Sequence, residues 1–133
     1  MADVIFQPFK PDIMQKIIFY ILCLFTVNSN FAQTVIQPKD AAKYIGQTVT
    51  VCGKIYGGKY LDAVKNKPTF LNMGAAYPNQ LLTIVIWGDA RKNFSYAPEE
   101  KLKNKTVCIT GKVEMFKGKA QIMADKESQI KEQ

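Results

Sequence analysis

The chain contains no histidine. That removes the usual general base, the commonest metal ligand and every nucleophile that imidazole would activate. Among the acids, Glu99 and Glu100 are the only adjacent pair. Neighbours on a helix point apart, so the pair suits charge at a helix N-terminus better than paired-carboxylate catalysis. Gly57-Gly58-Lys59 lacks both the spacing and the following Ser or Thr of a phosphate-cradling loop. The residues therefore read as non-catalytic, with no cofactor implied. A different chemistry is offered by aromatic rings interleaved with lysines. Tyr56, Lys59, Tyr60, Lys65 and Lys67 precede Phe70 and Asn72; Thr83, Val85 and Trp87 follow; Phe116, Lys117 and Lys119 come near the end. Rings of this kind stack on flat ligands while ammonium groups follow a polyanion. The competing reading packs Phe70 and Trp87 beneath a helix or loops as secondary core. Arg91 is the single arginine, which leaves bidentate recognition little to draw on.

To face water, Phe70 and Trp87 must lie on half-buried strands. KPTFLNMG (67–74) and LLTIVIW (81–87) alternate as such strands do. Leu71, Met73, Leu82, Ile84 and Ile86 then point inward, and Phe70, Asn72, Thr83, Val85 and Trp87 outward. Upstream, PKDAAKYIG (38–46) reads as a short helical turn closed by Gly46. QTVTVCGKIYGGKY (47–60) reads as a strand that breaks at Gly57-Gly58. Downstream, Pro98-Glu99-Glu100 fits the first turn of a short helix. TVCITGKVEMF (106–116) and AQIMAD (120–125) are two further strands about the turn Lys117-Gly118-Lys119, and the tail frays beyond Ile130. VTVCGKIY (49–56) echoes VCITGKVE (107–114). Gly53 and Gly111 thus mark corresponding bends, of the kind that let long strands close a barrel.

The start of the chain has a different character. After Met14 and Lys16, an apolar run from Ile17 to Val27 leads through a polar stretch to Ala32. These are the parts of a secretory signal, and the run is shorter than the ~20 residues a membrane span needs. Residues 1–32 read as an N-terminal extension plus signal, with Met14 the better start, and residues 33–133 as the domain. The expected location is periplasmic or extracellular, with no stable membrane span after cleavage. Residues 1–32 hold two lysines and two aspartates, so the remainder keeps the net charge of +7. Such a surface favours anionic partners.

Five strands with a helix between the third and fourth follow the element order of the oligonucleotide/oligosaccharide-binding (OB) barrel. YIGQTVTVCGKI, PTFLNMG, YPNQLLTIVIWG and KTVCITGKVEMFKGKAQI resemble the small secreted bacterial OB-fold domains of the nucleic-acid-binding type, which also occur appended to extracellular nucleases. The resemblance covers about residues 38–130, and nothing matches a nuclease catalytic segment. It implies an all-β, five-stranded Greek-key barrel with a short helix between strands 3 and 4. It further implies single-stranded nucleic acid, or another polyanion, on the face of the second and third strands. The residues there would be Tyr56, Lys59, Tyr60, Lys67, Phe70, Asn72, Thr83, Trp87, Phe116, Lys117 and Lys119. A protein or glycan of the cell envelope is the alternative occupant of the same face. In such a barrel the first and fourth strands are neighbours, and Cys52 and Cys108 share the outward phase. They stand either as two free thiols or as a bridge suited to an oxidising compartment.

Overall fold

The computed structural model describes residues 11–23 and 32–133. The chain divides into two compact units, Met1–Ala32 and Gln33–Gln133. In the first, helix α1 (Pro11–Cys23) covers the basic start and part of the apolar run. The remainder of the expected signal, residues 1–10 and 24–31, lies outside the described residues. No helix among those described is long and apolar enough to cross a membrane.

The second unit begins with β1 (Val35–Ile36), a 3-10 turn (Pro38–Tyr44) and β2 (Thr48–Tyr60). It continues through β3 (Thr69–Met73), β4 (Leu82–Ile86), α2 (Gly88–Arg91) and α3 (Pro98–Lys101). Strands β5 (Thr106–Phe116) and β6 (Lys119–Met123), a second 3-10 turn and β7 (Ile130–Glu132) complete it. Strands β2, β3, β4, β6 and β5 are hydrogen-bonded in that order, and β5 returns to β2. This is a closed five-stranded OB barrel, in which β4 and β6 form the parallel pair.

Closure depends on the two long strands each serving two partners. β2 pairs with β5 over residues 48–54 and with β3 over residues 55–60, and β5 passes likewise from β2 to β6. Gly111 sits just before the second handover. A Cβ there would come within 2.5 Å of Ile122 Cγ2, so the missing side chain is what lets β6 fold in closely. Leu71, Met73, Leu82, Ile84 and Ile86 are fully buried, as their alternation predicts. Leu102, after α3, is equally buried within the same cluster.

Four local expectations are corrected. The first long strand does not break at Gly57-Gly58 but runs to Tyr60, with a register shift between Ile55 and Gly57. Gly58 serves close strand approach instead, since a Cβ there would run into the Phe70 carbonyl oxygen. The tail does not fray beyond Ile130: β7 continues to Glu132, with Lys131 and Glu132 opposite Cys108 and Val107 of β5. Two single-turn helices, not one, join β4 to β5. Val85, outward by alternation, is 1% exposed because Phe70 and Met123 flank it on adjacent strands.

Cys52 and Cys108 are directly opposite on β2 and β5 and form a disulfide, with Cα atoms 4.0 Å apart. The free-thiol reading is thereby set aside. On the neighbouring outward rung, Thr50 and Thr110 share a hydroxyl hydrogen bond of 2.8 Å.

Candidate ligand groove

Strand register builds the outer face row by row. Lys59, Phe70, Val85 and Met123 form one row across β2, β3, β4 and β6. Asn72, Thr83 and Gln121 form the next across β3, β4 and β6. Beside these rows lies a groove of about 750 Å³, within the range of small-molecule sites. Its walls come from Gly58, Lys59 and Leu61, from Tyr77, Pro78 and Gln80 of the β3–β4 loop, and from Phe116, Lys117 and Lys119 of the β5–β6 turn. Phe70, Asn72, Thr83 and Gln121 also line it. Tyr77 is 76% exposed, Phe116 56%, and Phe70 half-buried, so the rings present open faces or edges to the groove.

The lysines of this groove have two different employments. Lys119 Nζ donates to the backbone carbonyls of Pro78 at 2.8 Å and Gln80 at 3.3 Å. It ties the β3–β4 loop to the β5–β6 turn and so holds one wall in place. Lys117 Nζ lies 5.4 Å from the centroid of the Phe116 ring, and Lys59 is exposed. Among the described residues neither Lys59 nor Lys117 belongs to an ion pair. Their charge remains available to an anion.

Tyr60, Lys67 and Trp87 are brought together elsewhere, in a second cleft of about 980 Å³ that also includes Asp89, Arg91 and Asp125. Arg91 dominates it. Its Nη1 and Nη2 donate to the two Glu99 carboxylate oxygens at 2.8 and 2.9 Å, and Nη1 also donates to Thr69 Oγ1 at 2.7 Å. The guanidinium stands 3.9 Å from the centroid of the Tyr60 ring. Hydrogen bonding to Arg91 holds the Glu99 carboxyl below its ordinary range, against the opposing effect of burial. The same bond raises Arg91. Trp87 is 36% exposed, and its Nε1 donates to Met123 Sδ at 3.4 Å. Tyr56 lines neither cleft; it sits with Lys54, whose Nζ is 4.8 Å from its ring, beside a shallow hollow of about 240 Å³.

Of the residues expected on the binding face, the groove gathers Lys59, Phe70, Asn72, Thr83, Phe116, Lys117 and Lys119. Tyr77, Gln80 and Gln121 also line the groove and lie outside the set expected from the sequence. Gln121 had a usable signal, since it shares the outward phase of Lys119 and Met123 on β6. Among the described residues, no group of three or more His, Cys, Asp or Glu side chains is placed to hold a metal ion.

No family model matches the chain, and no curated protein matches it by sequence. Solved structures that match part of the chain include the crystal structure of a Leishmania major Friedlin protein described as a putative aspartyl-tRNA synthetase. The two are 11% identical with a TM-score of 0.49, over 80% of this chain and 22% of that one. The present chain thus corresponds to under a quarter of that protein's length.

Proposed function

We propose that residues 33–133 form an exported, non-catalytic binding protein that takes single-stranded nucleic acid in the Phe70 groove, weakly and with tolerance for sequence. The observation that carries this reading is the gathering of three rings, Phe70, Tyr77 and Phe116, in one groove with Lys59 and Lys117, which form no ion pair among the described residues. Each base stacked on such a ring contributes about 1–3 kcal/mol, and lysines track the phosphates as point charges. The single arginine is engaged by Glu99, which argues against bidentate reading of guanine or phosphate. A surface of net charge +7 favours a polyanion in general. Export is supported by the signal-like start and by the disulfide, which persists in oxidising compartments.

Anisotropy of a labelled oligothymidylate, measured at low and high salt on the wild type and Phe70→Ala, tests the reading. Binding that salt reverses and that Phe70→Ala weakens about tenfold is the expected result. Equal affinity for a sulfated polysaccharide, unaffected by Phe70→Ala, would assign the groove to polyanions at large. Failure to bind either would leave the face to a protein partner of the envelope. For export, the N-terminus of the protein recovered outside the cytoplasm should be Gln33.

A further inference from the structure

One polar atom of a groove-lining residue has no hydrogen-bond partner among the described residues. Gln80 closes the β3–β4 loop and is 8% exposed. Its Nε2 donates to Thr83 Oγ1 at 3.2 Å, and its backbone carbonyl accepts from Lys119. The side-chain Oε1 is buried and bonds nothing among the described residues. Buried side-chain acceptors are nearly always satisfied, and leaving one orphaned is costly. Beside it, Thr83 already accepts from Gln80 and keeps its own hydroxyl hydrogen to donate. Gln80 and Thr83 both line the groove whose rings are Phe70, Tyr77 and Phe116, with the Gln80 Oε1 itself buried behind that lining. A ligand that offered only phosphates and a stacking face would leave the Gln80 carbonyl unpaired. A planar ring with an in-plane N–H would satisfy it.

We propose that Gln80 is a base-reading residue: its side-chain carbonyl accepts an N–H from the edge of a base stacked in the groove. This rests on the nucleic-acid reading above and adds one discriminating position to an otherwise sequence-tolerant footprint. The terminal torsion of glutamine is soft, and turning the amide outward exchanges the Nε2 bond to Thr83 for a bond from Oε1 to the base. The Lys119 bonds to the carbonyls of Pro78 and Gln80 keep the backbone fixed while it does so.

Thymine is the sharpest probe, because N3–H is its only ring donor. Anisotropy affinities of oligothymidylate and its N3-methyl analogue are compared on the wild type and on Gln80→Met, which keeps side-chain length and removes both polar atoms. Methylation is expected to weaken wild-type binding about tenfold and Gln80→Met binding no more than about twofold. Gln80→Leu serves if the Met variant fails to fold. Equal methylation penalties in wild type and variant overturn the proposal while leaving single-strand binding intact. So does a wild-type penalty below about twofold, which needs no variant. Absence of oligothymidylate binding by the wild type overturns the nucleic-acid reading and this proposal with it.

Discussion

The two clefts beside β3 and β4 treat positive charge in opposite ways. In the Phe70 groove, Lys59 and Lys117 stand outside any ion pair among the described residues, next to open rings. In the Trp87 cleft, Arg91 is locked to Glu99 through two hydrogen bonds and stands over the Tyr60 ring, in a cleft that Asp89 and Asp125 also line. A cation beside an aromatic ring is the same local pattern in both places. In one it is poised for a ligand, and in the other it is already satisfied. The difference lies in whether a carboxylate from another element reaches it first, here from α3.

The largest effect that would break this contrast is on stability. Glu99→Ala leaves the half-buried Arg91 guanidinium without its partner, at a cost of about 3 kcal/mol. For a domain of this size that lowers Tm by roughly 10–20 °C, while oligothymidylate affinity should stay within about twofold. A Tm that hardly moves would make the Trp87 cleft as uncommitted as the groove. The pH dependence carries the same information. A carboxyl held below its ordinary value stabilises the fold fully above that value, and the contribution is lost as pH falls through the depressed one. Below the ordinary value of 4.5, thermal melts of the wild type should therefore lose stability more steeply than those of Glu99→Ala.

Next in size is the division of labour between rings. Phe70→Ala should weaken oligothymidylate binding about tenfold, and Trp87→Ala by no more than about twofold. Comparable losses from both would merge the two clefts into one binding surface. Smallest are the individual charges. Lys59→Gln and Lys117→Gln should each reduce the slope of log affinity against log salt by about 0.7. Lys92→Gln, in the other cleft, should leave the slope unchanged. Lys119→Gln separates the two employments of lysine within the groove: it should weaken binding similarly at every salt concentration, because it loosens a wall.

Alternation made the barrel legible in the sequence. Leu82, Ile84 and Ile86 point inward because a strand has period two, and no knowledge of partners is needed to see it. The site was legible only in part, because it depends on register and on distant contacts. Phe70 and Trp87 share the outward side, yet Phe70 pairs with Val85, which puts Trp87 beyond the end of β4 and into the other cleft. Val85 shares their phase and is covered by its neighbours. Nothing local marks the β3–β4 loop as a wall of the groove, because the lysine that makes it one is 41 positions away. The tail looks frayed for the same reason, since the partner of Ile130 is Ile109.

The bridge between Cys52 and Cys108 has a consequence for what happens when the backbone is cut. Both loops that border the groove, between β2 and β3 and between β3 and β4, lie inside the ring that the bridge closes. A protease that severs either loop once produces two chains that stay covalently joined at the β2–β5 seam. Such a nicked molecule runs as one species until a reductant is added, and then separates into two.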